Sequence, residues 1–277
     1  MSSQLTVFDA LAMVPGWDPG VADIEELKGG LTNRVYRVRS DGRECVLRLH
    51  SDHSDTFIVD RSCELAILKT AGDAGIAPAI LFSDSDAGIL VTEYLHGVLW
   101  QASDLESSEN IEALAKLLQN VHALPLCGSR ADLTGAAEQY EKYLEKHHGL
   151  HAFASNCVGI IGKSQIHESV ACCHNDIVAA NIIDSGEPKL IDWEYARDND
   201  PLFDLASVIG FHDIDKGRQQ MLLSAYAGGT DSELRERLAE QVRVFDAIQW
   251  LWLAARHLVS PQTEQVRRLE KLQQRIR

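Results

Sequence analysis

No run of apolar residues in this 277-residue chain approaches the roughly 18 that a membrane-crossing helix needs. Residues 1–9 hold no basic stretch leading into an apolar one, so they do not read as a secretory leader, and a soluble, cytoplasmic protein is the expectation. Cysteine is sparse. Cys45, Cys63, Cys127, Cys157, Cys172 and Cys173 show no metal-ligand spacing, and in a cytoplasmic chain they are expected as small, reduced, buried side chains rather than disulfides. Positive charge is scarce too: 26 Lys and Arg against 41 Asp and Glu leave a net charge of −15. With no cluster of Lys or Arg, a nucleic-acid partner is disfavoured. His147, His148 and His151 stand among polar residues and read as solvated imidazoles rather than metal ligands. There is no internal repeat and no low-complexity linker.

An acidic surface can concentrate a cationic small molecule, although solubility alone explains it equally well. The length suits one two-lobed domain or two small ones, and a hydrophobic content of 45 % is enough to bury a sizeable core. From about residue 21 to 95 the pattern is that of an antiparallel sheet with one helix. Strands are expected at 21–28, 33–39, 44–50, 80–84 and 88–94, with a Gly29-Gly30 turn and an Asp41-Gly42 hairpin. A helix spans 61–74, stopped by Gly75 and Pro78. After Tyr94 the pattern turns helical. Ser108 can cap a helix reaching Leu124 before Pro125, and further helices fall at 140–146, 202–209, 216–226, 232–259 and 263–277. Residues 156–170 are a further helical candidate, weakly patterned and without an assigned role. The expected division is a β-rich lobe over 1–95 and a helical lobe over 96–277.

The stretch richest in chemistry runs from Cys173 through His174, Asn175 and Asp176 to Asn181, followed by Leu190-Ile191-Asp192-Trp193-Glu194-Tyr195. An Asp, an Asn five residues on and a second Asp eleven further on, in a strand–loop–strand context, is the spacing of phosphoryl transfer: one carboxylate for the acceptor hydroxyl, and an amide oxygen and a carboxylate for magnesium. A competing chemistry, a two-histidine–one-carboxylate iron site from His174, Asp176 and His212, leaves Asn181 and Asp192 unused. A silent nucleotide-binding module would normally have lost one of these polar residues.

Together with Gly29-Gly30-Leu31-Thr32-Asn33-Arg34, Val46-Leu47-Arg48-Leu49 and Glu64, these motifs resemble the choline/ethanolamine kinase branch of the aminoglycoside-phosphotransferase-like, protein-kinase-like superfamily. The resemblance covers the chain from Gly29 to about Val259. It implies an α+β protein-kinase-like fold, with a small antiparallel β lobe carrying one helix and a larger helical lobe. It also implies an ATP- and magnesium-dependent enzyme that phosphorylates a small alcohol. Choline or ethanolamine come first as acceptor, with thiamine, an aminoglycoside or a sugar as alternatives; the oligomeric state is left open. By resemblance Asp176 is the catalytic carboxylate, Asn181 and Asp192 hold Mg, and His174 braces the loop. Arg48, held by Glu64, meets phosphate oxygens, Gly30, Thr32 and Asn33 lie in the turn over the phosphates, and Glu93 to Leu95 form the hinge beside the adenine. Asp204 is expected as a buried support of the catalytic loop.

The acceptor pocket departs from the family pattern. Trp252 matches a choline-pocket tryptophan, but its usual companion falls on Gln249. On a helical wheel Trp250 shares a polar face with Arg243, Asp246 and His257, whereas Trp252 lies nearer Phe245, Ile248 and Val259, so core and pocket both remain open for it. Where the family carries a Glu, this chain has Phe211. Asp213 and Glu194 are the acidic residues that could replace it.

Overall fold

Alternating side chains on two hairpins build the first lobe. A computed structural model describes residues 5–27, 33–50, 59–164 and 169–277. Helix α1 (Val7–Met13) precedes β1 (Asp23–Leu27), β2 (Asn33–Ser40) and β3 (Arg43–His50), and helix α2 (Arg61–Asp73) precedes β4 (Ile80–Asp84) and β5 (Ile89–Glu93). The five strands are antiparallel neighbours in the order β1-β2-β3-β5-β4. Asp41 and Gly42 join β2 to β3 with φ of 52° and 73°, the left-handed pair that matches strand twist in a two-residue hairpin.

The period of two sends Cys45, Leu47 and Leu49 of β3 to one face, where they pack with Val38, Ile89 and Val91 against Ala10, Leu11 and Val14 from α1. Arg48 is thereby turned to the other face. Helix α2 lies on that side, its first turn capped by Asp60, which accepts from the Ser62 and Cys63 amides. Ile67, Leu68 and Ala71 of α2 join the core of the second lobe.

That lobe begins at β6 (Val98–Leu99) and continues through α3 (Ser108–His122), α4 (Leu133–Leu144) and α5 (His148–Lys163). Short strands β7 (Ala171–Cys173), β8 (Ile182–Asp184), β9 (Pro188–Leu190) and β10 (Arg197–Asn199) follow. Helices α6 (Leu202–His212), α7 (Lys216–Ala227), α8 (Ser232–Val259) and α9 (Thr263–Ile276) complete it. Strand β7 pairs with β10, and β6-β8-β9 form a second small sheet. One core joins α2, α3, α7 and the short strands; another joins α4, α5, α6, α8 and α9. Among the described residues no helix is long and apolar enough to cross a membrane.

Three expectations need correction. Helix α4 starts seven residues before the expected position, because Asp132 caps it through the Gly135 amide at 2.8 Å. The helical candidate at 156–170 is a helix with earlier bounds, α5 at His148–Lys163, which buries only Ala154, Cys157 and Ile161 and so shows little apolar stripe; residues 165–168 lie outside those described. And Cys63 and Cys127, expected as thiols, form a disulfide with Cα atoms 6.0 Å apart, a contact that their separation of 64 residues could not disclose.

Candidate active site

Helix α6 holds the loop that follows β7. Asp204, fully buried, accepts the amide protons of His174 at 2.9 Å and Asn175 at 2.6 Å, and its Oδ2 also meets His122 Nε2 at 3.0 Å. One turn on, Ser207 Oγ accepts from the Ile177 amide at 3.1 Å. At the end of the helix His212 Nε2 accepts from the Ala179 amide at 3.0 Å. Asn175 itself sits at φ 65°, a left-handed conformation that asparagine tolerates, and the turn it makes delivers Asp176. The His174 ring lies against Trp193, its Nε2 donating to the Ile191 carbonyl at 3.0 Å, while the Trp193 indole donates to Leu190 at 3.0 Å.

These contacts gather the three oxygen-bearing side chains. Asn181 Nδ2 donates to the Asp176 main-chain carbonyl at 3.0 Å and to its carboxylate at 3.1 Å. The Ile191 amide donates to the Asn181 carbonyl at 2.9 Å, and the next residue, Asp192, turns at φ 62°. Asp192 lies 3.6 Å from Arg48 Nη1, so the two lobes meet here. Arg48 is also ion-paired with Glu64, which is 1 % exposed and takes a second contact from Arg61 at 2.9 Å. Arg61 reaches Glu194 at 3.4 Å, and Asn33 Nδ2 donates to Glu194 at 2.8 Å. An alternating chain of charge, Asp192–Arg48–Glu64–Arg61–Glu194, thus crosses the cleft.

The electrostatics of this floor favour a cation. Burial first, then the charges of Asp192 and Glu194, push the Asp176 carboxyl up to about 8. Asp192 opens onto the cleft with 41 % of its side chain exposed, yet protein surrounds it on the other sides, and its carboxyl is pushed up by desolvation first and Glu194 second. Carboxylates that crowd one another in this way accommodate a divalent ion, and a carboxylate with an amide oxygen are the hard ligands magnesium takes. Asn181 and Asp192 therefore fit that ion.

Other expected residues are placed differently. Gly30 and Thr32 lie outside the described residues. Glu93 is exposed at the end of β5 with its amide already given to the Ala79 carbonyl at 2.8 Å, and Leu95 is half-buried. Trp250, expected on a polar face, is wholly buried against Phe153 with ring centroids 4.7 Å apart. Trp252 is half-buried at the edge of the same core, with the Arg256 guanidinium 5.7 Å from its ring. Asp213 is no open carboxylate: Lys271 at 2.5 Å, Arg275 at 2.6 Å and Arg268 at 3.7 Å surround it and hold its carboxyl below the usual range against the effect of burial. Glu194 is turned towards Asn33 and Arg61 rather than towards α6. Phe211 packs on Phe245 at 5.1 Å. His174 Nε2 and His212 Nε2 are occupied by the Ile191 carbonyl and the Ala179 amide, and among the described residues His174, Asp176 and His212 do not bring their ligand atoms together, so the iron triad is not assembled.

Arg61 is the site residue that sequence reasoning missed. Its one sequence signal is its position three residues before Glu64 on a helix, where side chains share a face.

Residues 23–241 match the family model described as "Phosphotransferase enzyme family". The chain belongs to that family. This phosphotransferase-family chain is 26 % identical over 211 residues to ethanolamine kinase 2 of Rattus norvegicus, an alignment covering 70 % of the chain and 54 % of the relative. It spans about half the length of the mammalian ethanolamine kinases it matches. Thiamine kinase of Salmonella typhi is 28 % identical over 235 residues, covering 83 % of the chain and 79 % of the relative. Among solved structures, a choline/ethanolamine kinase family protein from Mesorhizobium loti superposes with a TM-score of 0.75 at 24 % identity, covering 96 % and 90 % of the two chains. That likeness is one of fold: small antiparallel lobe, helical lobe and the protein-kinase-like arrangement of the two.

His212 ties the stability of this fold to pH. Desolvation, then Arg268, lowers its pKa to about 4. In the unfolded chain the ring titrates near 6.5, so between these values the unfolded state binds more protons. Its contribution is complete above about pH 6.5 and is lost as pH falls towards 4. Allowing for its partial exposure, about 1 kcal/mol should be gone by pH 5. His212→Asn is expected to flatten the fall in melting temperature between pH 7 and 5; an unchanged slope would assign that fall to other groups.

Proposed function

We propose that this chain transfers the γ-phosphoryl group of ATP to the hydroxyl of a small alcohol, with a cationic amino alcohol such as choline or ethanolamine as the first acceptor to test. The observation that carries the reading is the Asp176–Asn181–Asp192 cluster facing the Arg48–Glu64 pair across the cleft. Asp176 orients the acceptor hydroxyl and takes its proton as the new oxygen–phosphorus bond forms and the bond to the leaving phosphate oxygen breaks. Asn181, fixed through its amide to the Asp176 backbone, keeps that carboxylate and its own oxygen in register. Arg48 presents its planar fork to phosphate oxygens, and Glu64 keeps it extended into the cleft. Asn181 and Asp192 would hold magnesium, which supplies charge neutralisation on the phosphates.

The choice of amino alcohol draws on the resemblance and on the named relatives. Thiamine is the second reading, favoured by one observation: the match to thiamine kinase covers more of this chain, 83 %, than the match to ethanolamine kinase 2, 70 %. ADP release from magnesium-ATP, measured across choline, ethanolamine, thiamine, an aminoglycoside and several sugars, tests both. A response to choline or ethanolamine supports the first; a response to thiamine alone replaces it with the second. Silence with all of them, in protein that does not bind ATP, would overturn the kinase reading.

A further inference from the structure

Helix α2 carries Glu64, and its first turn is fastened to the second lobe one residue earlier, at Cys63. We propose that Cys63–Cys127 is a thiol–disulfide exchange site for low-molecular-weight thiols and disulfides of the glutathione class, and that its redox state sets how firmly α2 presents Glu64 and Arg48 to the cleft. The consequence for Arg48 rests on the nucleotide reading above; the exchange site does not.

Three observations converge on this pair. First, it alone among the six cysteines is bridged: Cys45, Cys157, Cys172 and Cys173 are all buried free thiols. Second, the two cysteines differ in exposure. Cys63 is 5 % exposed, whereas Cys127 is half-buried in a loop between exposed Leu126 and Gly128, so an attacking thiolate reaches Cys127. Third, each cysteine belongs to a segment wired to the active site. The amides of Cys127 and Gly128 donate to the Asp198 carboxylate at 2.9 and 2.7 Å, and Asp198 lies in β10 opposite Cys172 of β7, the strand that runs into His174 and Asp176. On the other side Asp60, the cap of α2, meets Arg197 of β10 at 3.7 Å. The bridge and this ion pair are parallel ties between the start of α2 and one strand pair. Only the bridge responds to redox conditions.

In the exchange, a thiolate attacks Cys127 Sγ and the protein S–S bond breaks, leaving Cys63 as the thiolate, which takes a proton from water. A second small thiol, as thiolate, then attacks the mixed disulfide and releases Cys127. The net change is protein disulfide plus two small thiols giving protein dithiol plus one small disulfide, and the reverse reaction re-forms the bridge.

The test equilibrates the full chain in glutathione buffers from fully oxidised to fully reduced, with Cys127→Ser alongside. The linked peptide is quantified by mass spectrometry, and melting temperature and the KM for ATP are measured in each state. The linked peptide should disappear across the series, and reduction should lower the melting temperature by about 5–10 °C, because a long closed loop is released. The KM for ATP should rise roughly tenfold, as for one weakened charge-assisted contact, with kcat little changed. Cys127→Ser should match the reduced protein in every buffer. A bridge that forms in no buffer, or that none of them opens, overturns the exchange site. Equal KM values in both states overturn the link to Arg48. A melting shift in protein that turns over no ATP in either state supports the exchange site while the kinase reading fails.

Discussion

Replacing Asp176 by Asn is expected to lower kcat by roughly a thousandfold, within the range for loss of a positioned acid–base group. The fold and the affinity for ATP should be nearly untouched. The substitution keeps the shape of the side chain, so the Asn181 contact to the main-chain carbonyl of residue 176 survives. What is lost, on the proposed reading, is the carboxylate that takes the hydroxyl proton. The same change removes a carboxyl that burial and two neighbouring charges already push up to about 8, so the variant should melt no lower than the wild type. Steady-state kinetics paired with nucleotide titration and a melting curve decide it. Activity within a few-fold of the wild type would remove Asp176 from the chemistry.

Asp204 should produce the largest structural effect of any single carboxylate. It is fully buried, and its two oxygens take the amides of His174 and Asn175 and the Nε2 of His122. Asp204→Ala leaves those donors without partners in the core, at a cost of roughly 3–5 kcal/mol, or about 10 °C in melting temperature for a chain of this size. Asp204→Asn keeps the volume but turns an NH₂ group towards one of the donors, and an intermediate loss is expected. Activity should fall with both, because the turn at Asn175 that delivers Asp176 loses its anchor. A melting temperature within about 2 °C of wild type for the alanine variant would show that the loop is held by Ser207 and His212 instead.

What could be read from the sequence was local. Asp41-Gly42 specifies its own turn, and the Asp176, Asn181 and Asp192 spacings specify their own loop, because short strands leave few ways to join those positions. Strand alternation, by contrast, does not say which face Arg48 takes; burial of Cys45, Leu47 and Leu49 against α1 decides it, and α1 is a seven-residue helix with two buried side chains, too short to show a period. The burial of Trp250, against its expected polar face, has a similar cause. A helical wheel assumes one wet face, whereas α8 packs against α4, α5, α6 and α9. Of the polar side chains beside Trp250, Asp246 is buried and paired with Arg275, half-buried His257 meets Gln265 at 3.0 Å, and Arg243 alone is exposed. The disulfide and the Arg61–Glu194 contact act over distances in sequence that no window spans.

The basic face of α9 has a wider consequence. Arg268, Lys271 and Arg275 all lie beyond the segment that matches the family model, and they converge on Asp213 and Asp246 at the C-terminal end of α6. Helix α9 is therefore a tethered counter-ion, whose charges meet these carboxylates without a bimolecular encounter. A protein shortened before Thr263 would leave two like charges together, beside the partial negative charge of a helix terminus, and each would raise the affinity of that corner for any small cation. Shortening the chain would thus change which molecules linger there even if every residue of the cleft stayed in place.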